Sequence, residues 1–207
     1  MFPNELNDIK EYLIRQNFNL EQVTNDGRLN SAFNEDQIIN LIQMRFGNII
    51  GIPKVRYWYD FCIQTENAFY PVNIKVSTTT TADNLNCKLG IYYSLTGIMP
   101  TFNNIVSWDM YFKNLKEHIT NNDKDYYFLI INKNDYNDIF LCSLRTLNKL
   151  TPNGNNLPFQ ATWEENKIPI NRDYESAKYF ILNHFSQSLH KRAEATNYFK
   201  KYFPEFL

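Results

Sequence analysis

The stretch 126–132, Tyr-Tyr-Phe-Leu-Ile-Ile-Asn, constrains the fold more than any other part of the chain. It has no alternation of apolar and polar residues, so it does not read as a strand with one face in water. A short run this apolar reads as a strand inside a sheet, with a layer of structure over each face. Residues 139–143 are its expected partner across an Asn- and Asp-rich turn. Covering both faces takes many apolar side chains. The 207-residue chain has them, with 43% hydrophobic and 16% aromatic residues, enough for one domain over 1–207.

The covering layers show as helical periodicity. Residues 4–18 space Leu6, Ile9, Leu13 and Ile14 as one apolar face. Residues 19–31 are polar and contain the turn signal Asp26-Gly27. A second helix is predicted over 34–46, with Asn34 as its cap, Glu35 and Asp36 in its first turn, and Ile38, Ile39, Leu41, Ile42 and Phe46 facing the core. Residues 108–119 read as a third helix. Residues 173–202 read as a long last one, with Tyr174, Ala177, Phe180, Ile181, Phe185, Leu189 and Tyr198 on its apolar side and Pro204 after it. Residues 157–163 look strand-like, and the polar runs 77–86 and 151–156 read as loops. The expected fold class is therefore α/β (α+β): a central mixed β-sheet flanked by helices, with a long C-terminal helix and no internal repeat or dividing linker.

Charge and cysteine content narrow the function. Twenty-one basic residues against 22 acidic ones leave a net charge of −1, which excludes a polybasic nucleic-acid binder but not one that gathers its cations in a cleft. Cys62, Cys87 and Cys142 are far apart and odd in number, so neither a zinc site nor a disulfide framework is expected, and free thiols suit a reducing cytoplasm. His118, His184 and His190 lack metal-binding spacing. The first residues lack the basic start and apolar run of a signal peptide, and no 18-residue apolar stretch predicts a membrane span.

The chemistry-bearing segment is a predicted hairpin, with strands over 55–63 and 69–76 and a turn at 64–67. Side chains alternate along a strand, so Asn73 and Lys75 share a face. A hairpin that returns on itself brings Asp60 beside them. The result is a carboxylate, an amide oxygen and an ammonium in one place. Asp60 and Asn73 are then the candidate metal ligands for Mg²⁺, and Lys75 can orient a water or neutralise charge developing on phosphorus.

Asp60 followed by Asn73-Ile74-Lys75 resembles the signature of the PD-(D/E)XK nuclease superfamily, an Asp and then Asp/Glu-x-Lys on a hairpin. The resemblance extends to the blunt-cutting type II restriction endonucleases of the EcoRV/HincII-like branch. It covers the Thr-rich run after Lys75, Gly90-Ile91-Tyr92-Tyr93-Ser94, Phe159-Gln160-Ala161, the aromatic and basic last helix, and Phe-Lys-Lys-Tyr at 199–202. It implies a bacterial, cytoplasmic, Mg²⁺-dependent enzyme that cuts double-stranded DNA as a homodimer at a palindromic site. It also implies a helix carboxylate near the metals, for which Glu35 is the match and Asp36 a weaker one. One departure stands out. The second acidic position is Asn73, a neutral ligand that weakens a metal site, so either another carboxylate such as Glu35 or Glu66 compensates, or Asn73 is an engineered inactivating change, or the chain is a degenerate, non-catalytic relative.

The polar loops are the expected DNA readers. Asn and Gln pair with adenine edges, and Thr touches the thymine methyl. The candidates are Thr79, Asn84 and Asn86 in the first loop, Asn153, Asn155 and Asn156 in the second, and Gln160 beyond it. Lys88, Lys191, Arg192, Lys200 and Lys201 are candidate phosphate contacts. Three rival readings accompany this one: a relative that binds DNA without cutting it, a repair or toxin nuclease of the same superfamily, and a plain aromatic-rich interaction domain.

Overall fold

The computed structural model describes residues 2–16, 27–102 and 107–206, except for the side chains of 27–33. Helix α1 (Asn4–Gln16) and helix α2 (Gly27–Phe46) precede strands β1 (Ile50–Gly51), β2 (Phe61–Gln64), β3 (Phe69–Ser77) and β4 (Ala82–Leu85). Helices α3 (Lys88–Thr96) and α4 (Trp108–His118), strands β5 (Tyr127–Asn132), β6 (Asp135–Ser143) and β7 (Phe159–Thr162), and helix α5 (Tyr174–Tyr202) complete the order. The main sheet runs β1-β2-β3-β5-β6. The β3–β5 pair is parallel and its other pairs are antiparallel, while β4 and β7 form a small second sheet. This is the mixed sheet flanked by helices, with a long C-terminal helix, that the sequence leads one to expect.

The apolar run at 126–132 is an interior strand whose two faces feed two cores. Leu129 and Ile131 join Val72, Ile74, Phe61 and the α1 residues Leu6, Ile9 and Leu13. Phe128 and Ile130 join Cys62, Cys142 and side chains of α3, α4 and α5. Fully burying one such aliphatic side chain stabilises the fold by about 1.5–3 kcal/mol, so alternate residues of one strand hold both layers to the sheet. Asp173 caps α5 by accepting from Ser176 N at 2.7 Å. Cys62, Cys87 and Cys142 are free and buried. Among the described residues, no helix is long and apolar enough to cross a membrane.

Several expectations are corrected. Helix α2 begins at Gly27, not at residue 34, so Asn34 is no cap, and Glu35 and Asp36 lie mid-helix, away from the N-terminal dipole. Residues 17 and 18 of the predicted first helix and 19–26 of the predicted polar connection lie outside the described residues. The first hairpin strand starts at Phe61, not at 55, because 52–60 is irregular and turns at Val55–Arg56. The predicted loop 77–86 contains β4, which β7 recruits as an edge partner. Tyr198 is 62% exposed. The buried face of α5 ends at Ser188, and 190–202 are exposed throughout.

Candidate active site and nucleic-acid interface

Antiparallel pairing of β2 with β3 sets Phe61 against Val72, and Asp60 N donates to Val72 O at 2.9 Å just beyond that pair. Asp60 therefore meets Asn73. Its Oδ2 accepts from Asn73 Nδ2 and from Ile74 N, both at 2.7 Å. A carboxylate only accepts, so the amide turns its nitrogen to Asp60 and presents its oxygen elsewhere. Burial raises the Asp60 pKa above its usual value, opposed by the Ile74 N–H and the Lys75 charge. Desolvation thus outweighs the two groups that favour the anion.

Asn73 and Lys75 open onto a cavity of about 560 Å³. Its cations are Arg56, Lys75, Lys88 and Arg192, and its amides are Asn73, Asn86, Asn155 and Asn156. None of the described residues lining it is acidic. A chain with a net charge of −1 therefore concentrates positive charge on one concave surface, which attracts an anionic ligand. Trp58, Trp108 and Tyr126 supply aromatic walls. Trp58 stacks on Tyr126 at 5.7 Å and accepts the Tyr126 hydroxyl proton at its carbonyl, 2.6 Å away. Gly90 lets α3 approach this wall, since a Cβ there would sit 2.6 Å from the Tyr126 ring. Lys88 Nζ lies 5.1 Å from the Trp108 ring centroid, a cation–π distance.

The structure brings together Asp60, Asn73 and Lys75 and, around the same cavity, Asn86, Lys88, Asn155, Asn156 and Arg192. It puts the other candidates elsewhere. Glu35 is half-buried on α2, whose Ile38 and Ile42 pack under the opposite sheet face, and it does not line the cavity. Glu66 sits in the β2–β3 turn, at the far end of the hairpin from Asp60. Thr79 is 1% exposed, with its Oγ1 donating to Glu164 Oε2 at 3.1 Å. Asn84 and Gln160 face each other across β4 and β7 and share a 2.7 Å amide hydrogen bond. The side chain of Asn153 shapes its own loop, accepting from Asn155 N at 2.7 Å and Asn156 N at 3.0 Å.

That loop is fixed to α5. Asn153 N donates to Ser188 Oγ, and Arg192 donates from Nε to Gly154 O and from Nη2 to Asn155 O, each at 2.9 Å. Asn155 and Asn156 remain exposed at the cavity. Sequence reasoning missed Arg56, Trp58 and Trp108. The first two lie in the run taken as strand, where β-forming residues masked a turn.

Among the described residues, no group of three or more His, Cys, Asp or Glu side chains is placed to hold a metal ion. Only with the Asn73 amide turned over, its oxygen in place of the nitrogen that now faces Asp60, would the two residues make a hard-oxygen pair, and one with a single negative charge. That fits Mg²⁺ weakly, since the ion accepts one or two carboxylates and completes its shell with water and phosphate oxygens. No protein-family model matches the chain, and no curated protein matches it in sequence.

Proposed function

We propose that this chain is a site-specific deoxyribonuclease of the type II restriction class, hydrolysing double-stranded DNA with Mg²⁺, with its activity held down by Asn73. The observation that carries the reading is that Asn73, hydrogen-bonded to Asp60 behind it, and Lys75 line a cavity whose other polar residues are cations and amides, with no acid among its described lining residues. A phosphodiester supplies the negative charge this surface lacks, and base edges supply partners for Asn155 and Asn156.

The side chains divide the work. Arg56, Lys88 and Arg192 draw the phosphates in. Lys75 offers its ammonium to a non-bridging phosphate oxygen or orients the attacking water. Asp60 and the Asn73 oxygen would hold Mg²⁺, which when bound acidifies its water and offsets charge at phosphorus. In this chain the Asn73 amide also donates to Asp60 Oδ2, tying up an oxygen that an acidic residue at position 73 would leave to the cation. A palindromic target and one hairpin per chain fit a homodimer with two-fold symmetry, and the resemblance to restriction endonucleases adds a bacterial cytoplasm as its setting. That same Asn73–Asp60 hydrogen bond favours a second reading, a protein of this architecture that binds DNA without cutting it.

Incubating the chain and its Asn73→Asp variant with genomic DNA and Mg²⁺ separates the two. Discrete fragments from either protein support the nuclease, and fragments from the variant alone identify Asn73 as the brake. Binding without cutting by both proteins leaves the binding module. Neither binding nor cutting defeats both readings.

A further inference from the structure

The segment 55–58 enters the cavity by an unusual route. Arg56 has φ 64°, the left-handed region that costs a residue with a Cβ about 1–2 kcal/mol. Val55 beside it is 90% exposed, and Arg56 is itself exposed. The chain is anchored immediately afterwards, where Trp58 stacks on Tyr126 and Asp60 N joins the β3 ladder. Arg56 thus projects from a short turn on a rigid base, and it lines the cavity with Lys75, Lys88 and Arg192. Backbone strain on an exposed charged residue that lines a cavity is an observation from which a functional role can be inferred.

We propose that Arg56 binds a backbone phosphate of DNA entering this cavity, and that its left-handed turn is kept for that contact at the expense of stability. This rests on the nucleic-acid reading above. A guanidinium fork on a fixed turn suits two oxygens of one phosphodiester. The contact is indifferent to base sequence, so it adds affinity and register without adding discrimination.

Arg56→Gly isolates the two halves of the claim, because glycine adopts φ 64° without the steric cost. Binding of a fluorescein-labelled random-sequence 24-base-pair duplex is followed by anisotropy from about 50 to 200 mM salt, with melting recorded in parallel. Arg15→Ala, exposed at the end of α1, controls for loss of one charge, and Arg56→Lys keeps the charge. The expected result is about three- to tenfold weaker binding for Arg56→Gly, a salt slope lower by about one, and a melting temperature that is unchanged or up by about 2 °C. Arg15→Ala leaves the slope at the wild-type value, and Arg56→Lys keeps most of it. Wild-type affinity and slope in Arg56→Gly overturn the proposal while the nucleic-acid reading stands. A melting temperature lower by more than about 4 °C also overturns it, by making Arg56 a structural residue. If the wild-type chain binds no duplex, the nucleic-acid reading falls and this inference with it.

Discussion

Strand β3 carries two kinds of chemistry on its two faces, one residue apart. Val72 and Ile74 point into the core under α1 and α2 and are fully buried. Asn73 and Lys75 point the other way, half-buried, into the cation-lined cavity. The strand's backbone is common to both, and the β2 and β5 ladders fix its register. Substitutions on the core face should therefore cost stability, whereas substitutions on the cavity face, and at Asp60 which is bonded to it, should cost function and at Asp60 add stability.

The largest effect should come from the cavity face. In an Asn73→Asp background, Lys75→Ala is expected to lower the rate of plasmid nicking with Mg²⁺ by about 10²–10³-fold, the usual loss when a charge-stabilising group is removed. The denaturation midpoint should barely move. A large loss of stability, or a nicking rate that survives, would break the division between the two faces.

Ile74→Ala tests the opposite face. Truncating a fully buried isoleucine costs about 2–5 kcal/mol, read from urea unfolding. Duplex binding by the fraction that remains folded should be near normal, because the Ile74 backbone N–H to Asp60 survives the change. Weak binding by that folded fraction would show that the core face also sets the site's geometry.

The third effect has the reverse sign. The carboxyl of Asp60 keeps its proton to higher pH in the folded chain than its ordinary value of 3.8, mainly through burial. Its ionised form therefore costs stability. The cost is absent below the unfolded-state value and grows as pH rises through the raised folded value. Asp60→Asn keeps an oxygen to accept from Ile74 N and Asn73 Nδ2. Its melting temperature should exceed wild type at pH 7, and the gain should vanish toward pH 3.5. A lower melting temperature at pH 7 would mean that the Lys75 attraction outweighs desolvation. Any cleavage seen in the Asn73→Asp background should be lost with Asp60→Asn.

How much of this was legible follows the same physical lines. The hairpin and the buried strand were readable because β periodicity and apolar density are local signals. The register that pairs Asp60 with Asn73 follows from a short turn between two such strands. Helix α3 gave no signal, because Leu89–Thr96 are all buried and a helix apolar all round has no amphipathic period. Strand β4 is polar and gains its identity only from β7, so composition alone reads it as loop. Val55, Tyr57, Trp58 and Tyr59 favour a strand, but here tertiary packing spends them on a turn and an aromatic wall. Base contacts were assigned by residue type, and type does not reveal that Thr79 is buried or that Asn84 already has a partner.

The smallest effect concerns that partner, on the ribbon that flanks the cavity. The Asn84–Gln160 hydrogen bond is exposed, and water competes for both amides, so its net contribution should lie at or below about 0.5–1.5 kcal/mol. A double-mutant cycle with Asn84→Ala and Gln160→Ala should give a coupling in stability of about 0.5 kcal/mol or less. So weak a bond opens readily to a stronger partner. If either amide turns to a base edge, its alanine variant should bind random duplex as wild type does but lose discrimination between the target and single-mismatch duplexes. A coupling well above 1 kcal/mol, with discrimination unchanged, would make the pair a structural clasp and leave base reading to Asn155 and Asn156. The same cycle thus decides whether the ribbon belongs with the core face of β3 or with its cavity face.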